Sequence, residues 1–187
     1  MSKNLKLYIV IAALFAGVGA WLSTRHHEPA PPLTTTIAPT PNGQAHTPVT
    51  ELFAQSMNDV AGTPQALAQW KGKPLVVNFW APWCGPCVQE MPELSALATE
   101  QAAKGIQVIG IGIDSPKNIA DFAAKLHIAY PLYVAGMSGT ALSQKLGNAN
   151  GGLPYTVLID ANGQVRKTYL GRLKFDELKA DLANLKS

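Results

Sequence analysis

The chain has 187 residues, of which 47% are hydrophobic and 14% are charged, a length that suits one domain with appended segments. Its formal net charge is +3, and no basic stripe interleaved with aromatic residues is present, so nucleic-acid binding is not expected. The chain contains only two cysteines, Cys84 and Cys87, too few to hold together a small disulfide-rich scaffold.

The first predicted element is a hydrophobic segment near the amino terminus. Lys3 and Lys6 precede an uncharged run of sixteen residues, 7–22, which as a helix would be about 24 Å long, slightly under a full membrane span. We predict that residues 1–25 form a transmembrane anchor whose amino end lies in the cytoplasm. The alternative is a cleaved signal peptide, with residues 18–20 as a small-residue cleavage site. Both alternatives place the rest of the chain outside the cytoplasm.

A Pro- and Thr-rich segment follows the hydrophobic run. Residues 26–50 contain six prolines and six threonines and almost no large apolar side chain. Such a segment cannot bury enough apolar surface to repay the entropy of ordering it, and proline favours extended conformations. We therefore predict a disordered stalk over residues 26–50 and a folded domain over residues 51–187.

The folded domain shows strand and helix patterns in alternation. Residues 75–80 and 106–113 are short apolar runs rich in β-branched residues, which predict buried strands. A helical pattern with one apolar face lies between them and ends at Gly105. The later predicted elements are a helix opened by Ser115 and Pro116, an extended segment at 131–134, a helix at 138–146, strands at 155–160 and 164–170, and a final helix.

This order of elements predicts an α/β fold. The early strands are separated by helices and should run parallel, whereas a turn at Asn162 and Gly163 joins the last two strands as an antiparallel hairpin. We therefore expect a central mixed β-sheet that is flanked by helices on both faces.

The two cysteines lie three residues apart, where the strand at 75–80 gives way to the next helix. Cys84 is predicted at the helix start, where free backbone N–H groups and the positive end of the helix dipole stabilise a thiolate. Cys87 lies on the same helical face and can close a small ring with Cys84. Such a pair can attack a substrate disulfide through an exposed Cys84 and resolve the mixed disulfide through Cys87. A structural disulfide, half of a zinc site and inert buried thiols are the alternatives.

The stretch NFWAPWCGPCVQEMP, residues 78–92, carries a resemblance to a known family. Its WCGPC motif after a strand ending in Phe-Trp resembles thioredoxin. Together with the hydrophobic anchor and the stalk, it makes the chain similar to the membrane-tethered bacterial thioredoxin-like reductases of the TlpA/ResA/DsbE group. The resemblance covers the chain from residue 51 to its end. It implies a thioredoxin fold with a helix-containing insert within residues 115–147.

The resemblance also implies roles for individual residues. Cys84 corresponds to the attacking cysteine and Cys87 to the resolving cysteine of a redox-active disulfide, which works without a further cofactor or metal. Trp83 resembles the tryptophan that flanks the site. Pro154 resembles the cis-proline whose loop receives the substrate backbone, and the resemblance implies Trp83, Leu153 and Pro154 as substrate-binding residues. Base rates alone would favour a trans bond between Leu153 and Pro154.

Two positions bear on proton transfer. Asn78 stands where thioredoxin has a buried aspartate, and an asparagine cannot titrate. Glu90 lies three residues after Cys87, as a glutamate does in the membrane-tethered group. If it is partly buried, Glu90 can manage the proton of the resolving thiol. The alternative is a solvated helix carboxylate, and the sequence does not choose between the two.

The resemblance implies an extracytoplasmic protein-disulfide reductase, bound to the inner membrane of the bacterial cell envelope. Its substrates would be protein thiols and disulfides, as in cytochrome c maturation, and its electrons would come from a membrane donor of the DsbD or CcdA type. Gly85 and Pro86 match thioredoxin, at about −270 mV, and not the oxidant DsbA, at about −120 mV, so we predict a reductase. The alternatives are a copper-binding chaperone, with His127 as the candidate ligand, and a disulfide oxidase or isomerase.

Overall fold

The computed structural model describes residues 47–185 of the chain. The predicted anchor at residues 1–25 and most of the predicted stalk at residues 26–50 lie outside the described residues. Within the described part, no helix is both long enough and apolar enough to cross a membrane. The anchor therefore stays a prediction from the sequence.

Helix α1 (Pro48–Phe53) begins inside the segment predicted to be the stalk. The Thr47 side chain caps this helix by accepting a hydrogen bond from the backbone N–H of Thr50 at 3.2 Å. Pro48 fits the first turn, where a backbone N–H is not needed. The apolar side chains of α1 are buried in the core, so the folded domain starts before residue 51.

The described residues form seven strands and five α-helices. In chain order, α1 is followed by β1 (Ser56–Asp59), β2 (Pro64–Ala66), a 3-10 helix (Leu67–Trp70), β3 (Leu75–Trp80), α2 (Gly85–Ala102), β4 (Gln107–Gly112), α3 (Pro116–Leu126), β5 (Leu132–Val134), α4 (Ser138–Lys145), β6 (Tyr155–Ile159), β7 (Val165–Leu170) and α5 (Phe175–Asn184). Every element predicted from residue 75 onward is present, with small differences at the ends. The elements before residue 75 have no counterpart in the sequence prediction.

The seven strands form one mixed sheet in the order β2-β1-β5-β4-β3-β6-β7. Strand β4 pairs in parallel with β3 and β5, as expected for strands joined by helical crossovers. Strand β6 pairs antiparallel with β3 and with β7, so the last two strands form the predicted hairpin. The expectation of a mixed α/β fold is confirmed.

Strand β3 lies in the middle of the sheet, and all six of its side chains are buried. Val76 and Trp80 point into a core formed with helices α2, α3 and α5. Leu75, Val77 and Phe79 point to the opposite face, into a core formed with α1 and α4. Because side chains alternate along a strand, Asn78 shares the face of the first core, beneath α2.

Two helices lie between β4 and β6, in the segment where the resemblance predicts an insert. Helix α3 is capped by the Ser115 side chain, which accepts a hydrogen bond from the backbone N–H of Asn118 at 3.2 Å. It ends at His127, which adopts the left-handed conformation with φ 50°. The chain then forms β5 and α4 before it returns to the sheet at β6.

Candidate active site

The two cysteines form a disulfide at the amino-terminal end of helix α2, with their Cα atoms 5.3 Å apart. Cys84 is the N-cap residue, and its Sγ accepts a hydrogen bond from the backbone N–H of Cys87 at 3.3 Å. The start of the helix thus points an N–H donor at the first sulfur of the pair. The same donor would stabilise a Cys84 thiolate after reduction of the disulfide.

The two cysteines differ in their access to solvent. Cys84 keeps 5% of its surface exposed, whereas Cys87 is fully buried. The sequence predicted an exposed Cys84, and the structure corrects this to a narrow window at the end of the helix. Thiol–disulfide exchange requires contact between sulfur atoms. Of the two cysteines, therefore, only Cys84 can attack another molecule or be attacked by one.

The loop before β6 lies beside the end of β3. The Leu153–Pro154 peptide bond is cis, the conformation implied by the resemblance and not by base rates. The buried Asn148 side chain donates a hydrogen bond to the carbonyl of Gly152 at 2.9 Å. The backbone N–H of Gly171 donates to the carbonyl of Pro154 at 2.8 Å. Both ends of this short loop are therefore held by hydrogen bonds.

Strand pairing brings this loop to the cysteines. Tyr155 pairs with Phe79 in the antiparallel register of β6 and β3. The residue just before β6 is Pro154, which therefore lies beside the end of β3 at Trp80. The chain reaches Cys84 four residues after Trp80. The cis-proline loop and the disulfide thus share one edge of the sheet.

A groove of about 1010 Å³ opens at the same edge. Trp83, which is 68% exposed, and the partly buried Leu153 line it. Met137, which is 81% exposed, lines it as well, together with Ile113 and other residues from the ends of β4 and β5. Trp83 and Leu153 were predicted from the sequence as substrate-binding residues. Met137 was not predicted, because its position depends on how the preceding strand β5 pairs in the sheet.

Glu90 is fully buried in helix α2, one turn after Cys87. Its Oε1 accepts a hydrogen bond from the side-chain amide of Asn78 at 2.9 Å. Its Oε2 accepts one from the backbone N–H of Leu173 at 2.8 Å. The alternative of a solvated helix carboxylate is therefore wrong.

Burial raises the pKa of Glu90, because a carboxylate loses its hydration in the protein interior. The hydrogen bonds from the Leu173 N–H and the Asn78 amide, and the charge of Arg172, act in the opposite direction on that pKa. Burial also raises the pKa of the neighbouring Tyr130, and the negative charge of Glu90 adds to that increase. The site therefore holds a carboxylate that takes up a proton more readily than a surface glutamate does.

Comparison with known proteins agrees with this geometry. Residues 38–182 match the Redoxin family. The chain belongs to this family. Thiol-disulfide oxidoreductase ResA of Geobacillus thermodenitrificans is 29% identical over 131 residues, which cover 70% of this chain and 73% of that protein. ResA of Bacillus cereus is 30% identical over 131 residues, which cover 69% of this chain and 73% of that protein.

A solved structure shows the same fold. The crystal structure of a thiol:disulfide interchange protein of the thioredoxin family from Chlorobium tepidum superposes with a TM-score of 0.63 at 26% identity, and the match covers 71% of this chain and 93% of that chain. This redoxin therefore has a thioredoxin-like fold and is a thiol-disulfide oxidoreductase of the TlpA/ResA/DsbE group.

Sequence reasoning missed several groups around Glu90 in this oxidoreductase. Thr156, whose Oγ1 accepts the second hydrogen bond of the Asn78 amide at 3.0 Å, pairs with Asn78 across β3 and β6. A single polar residue in each of two otherwise apolar strands was the available signal. The Leu173 N–H and Tyr130 approach Glu90 from segments far along the chain, and no local pattern indicates them.

The structure also bears on the copper-chaperone alternative. Within residues 47–185, no three His, Cys, Asp or Glu side chains come together as a metal site. His127, the ligand that this alternative requires, is exposed at the end of α3 and makes no such cluster with Cys84 and Cys87. The described residues therefore give this alternative no metal site.

Proposed function

We propose that this oxidoreductase reduces protein disulfides outside the cytoplasm. The observation that carries the proposal is the Cys84–Cys87 disulfide at the start of α2, in which only the first cysteine reaches the surface. This asymmetry supports attack by Cys84 and resolution by Cys87. It suits an oxidoreductase whose first cysteine forms the mixed disulfide with the substrate and whose second cysteine resolves it within the protein.

The reaction follows from this arrangement. The Cys84 thiolate attacks one sulfur of a substrate disulfide, and the other substrate sulfur leaves as a thiolate and takes up a proton. Cys87 gives its proton to Glu90 and attacks the Cys84 sulfur, which releases the second substrate thiolate. Two electrons pass to the substrate, and the Cys84–Cys87 disulfide forms.

The groove supplies the place for the substrate. Trp83 is a large exposed apolar side chain next to the disulfide, and Leu153 lies on the opposite chain segment. Exposed aromatic side chains of this kind often anchor a partner. Pro154 holds the loop turned toward the cysteines, so that an extended substrate segment would pass between this loop and Trp83. We propose these three residues as the substrate-binding residues.

The direction, the cell compartment and the partners extend this proposal. Gly85 and Pro86 between the cysteines favour the reducing direction. Residues 1–25 would anchor the domain to the inner membrane, with residues 47–185 in the periplasm or another extracytoplasmic space. A reductant in that oxidising compartment needs electrons through the membrane, from a donor of the DsbD or CcdA type. Its substrates would include proteins of cytochrome c maturation.

The test is disulfide reduction by the full-length chain in detergent. Reduced wild-type protein should cleave the disulfides of insulin, and Cys84→Ala should abolish the activity. Ser95→Ala is the matched control, because Ser95 lies on the same helix and its Oγ accepts a hydrogen bond from the backbone N–H of Ala129. A reduction potential of about −270 mV supports a reductase, and one of about −120 mV would make the protein an oxidase instead.

A further inference from the structure

Asn78 makes two side-chain hydrogen bonds inside the core. Its Nδ2 donates to Glu90 Oε1 at 2.9 Å and to Thr156 Oγ1 at 3.0 Å, and the residue is fully buried. The reverse orientation of the amide would bring its oxygen against the carboxylate of Glu90. The carboxylate therefore determines which way the amide points.

The carboxylate of Glu90 is held at both oxygens by donors from different parts of the chain. Asn78 on β3 reaches Oε1, and the backbone N–H of Leu173, ahead of α5, reaches Oε2. Thr156 on β6 holds the Asn78 amide from the other side. With both oxygens bonded, the carboxyl group is fixed in orientation on the turn of α2 that follows Cys87.

Packing alone does not explain an asparagine at this position. A buried amide has a desolvation cost that an apolar side chain would avoid, and its neighbours on this face of β3 are Val76 and Trp80. The Oδ1 atom of Asn78 has no hydrogen-bond partner among the described protein atoms. The amide is thus poorly satisfied as a structural group but well placed as a donor to Glu90.

We propose that Asn78 is a positioning residue, which holds Glu90 so that its carboxylate accepts the proton of Cys87 during resolution of the mixed disulfide. This inference rests on the role proposed above for Glu90. The charged and titratable groups that face Glu90 are Arg172, whose charge favours the carboxylate, and Tyr130, which is buried nearby. Neither of them bonds the carboxylate, so Asn78 is the side chain that orients it.

The test compares Asn78→Ala and Asn78→Asp in the full-length protein. The readout is the rate of single-turnover oxidation by a peptide disulfide, measured across pH. Loss of the amide donor should leave Glu90 protonated to higher pH, so Asn78→Ala should move the half-maximal pH upward. At pH values below this half-maximal pH, Asn78→Ala should react about tenfold more slowly than the wild type. A loss of this size lies within what general acid–base catalysis contributes.

The aspartate variant separates positioning from packing. Asn78→Asp keeps the shape of the side chain but places a second carboxylate against Glu90, so the two groups share a proton and titrate together. We expect the half-maximal pH of Asn78→Asp to rise at least as much as that of Asn78→Ala. If Asn78 served only to pack the core, the isosteric Asn78→Asp change would have the smaller effect of the two. Ser95→Ala, a buried polar change on the same helix, should leave the pH profile unchanged.

Two results would overturn the inference. One is a wild-type pH profile in both Asn78 variants. The other is an Asn78→Asp profile closer to the wild type than that of Asn78→Ala. Failure of the proposed function would look different: the wild-type protein would not reduce insulin, or the Cys84→Ala variant would still reduce it.

Discussion

Glu90 and Leu173 join helix α2 to the segment that leads into α5, through a hydrogen bond of 2.8 Å from the Leu173 N–H to Glu90 Oε2. The two residues are 83 positions apart in the chain, and the Leu173 side chain lies in the same apolar core as Cys87. The group that is proposed to take the proton of Cys87 therefore also links helix α2 to the segment before α5. Its charge affects both chemistry and stability.

The Glu90→Gln variant should differ from the wild type in a pH-dependent way. Burial raises the pKa of Glu90 in the folded protein above its value in the unfolded chain. The stability that this shift contributes is present below the unfolded-state pKa and is lost as the pH rises through the folded-state pKa. A glutamine cannot titrate, and its amide cannot accept from both the Leu173 N–H and Asn78.

We therefore expect Glu90→Gln to be about 1–3 kcal/mol less stable than the wild type at low pH. The difference should shrink as the pH rises toward neutrality and above. Urea unfolding of the oxidised proteins at several pH values measures it. A stability difference that stays constant over the whole pH range would show that Glu90 does not carry the raised pKa.

The Cys87→Ala variant should trap the reaction half-way. Cys84 retains its access to the surface and still attacks a substrate disulfide, but no second thiol is present to resolve the product. The expected species is one substrate chain linked to Cys84, seen by mass spectrometry without reductant and absent with it. Cys84→Ala should give no adduct, because Cys87 is fully buried. Equal amounts of adduct in the Cys87→Ala and Cys84→Ala variants would contradict the assignment of attack to Cys84 and of resolution to Cys87.

The sequence was sufficient to predict the strands and helices from residue 75 onward, because each has a local signal. Apolar runs predict β3 and β4, Ser115 followed by Pro116 predicts the start of α3, and the Asn162–Gly163 turn predicts the hairpin of β6 and β7. The elements between residues 48 and 70 are short and carry mixed polar and apolar residues. Their formation depends on pairing with β5 and on burial against the sheet, which are contacts distant in sequence.

In the candidate site, too, some features have a local sequence signal and others depend on contacts between distant segments. The motif around Cys84 and Cys87 predicts the disulfide and its helix position, since both follow from local chemistry. The sequence did not decide whether the Glu90 side chain is buried or solvated. Its burial is decided by Asn78 and Leu173, which reach it from β3 and from the segment before α5. A side chain whose surroundings come from three chain segments cannot be placed by periodicity along one of them.

The Trp83→Ala variant should weaken reduction of protein substrates without affecting the fold. Trp83 is 68% exposed, so the free energy of unfolding should change by no more than about 0.5 kcal/mol. Loss of the aromatic contact should lower kcat/KM for insulin about tenfold, which corresponds to about 1.4 kcal/mol. The rate with a small soluble disulfide should stay close to that of the wild type.

The matched control for Trp83→Ala is Val165→Ala, which truncates another exposed apolar side chain, 41% exposed, on strand β7. Val165 does not line the groove, so its variant should reduce both substrates at the wild-type rate. An equal loss with insulin and with the small disulfide in Trp83→Ala would mean that Trp83 acts on the chemistry of the disulfide and not on substrate binding.

Gly110→Ala tests the close packing of β4 against side chains from β3 and β5. A Cβ at this position would lie 2.5 Å from Leu132 Cδ2 and 3.1 Å from Trp80 Nε1, so the core has to shift. We expect a loss of about 1–3 kcal/mol in urea unfolding, because added volume in a close-packed core forces side chains from their preferred positions. Gly85→Ala is the control: nothing lies within 4 Å of its Cβ, and alanine is the better helix former, so stability should be unchanged or slightly higher. Equal stability of the two variants would mean that the Leu132 side chain moves aside at no cost.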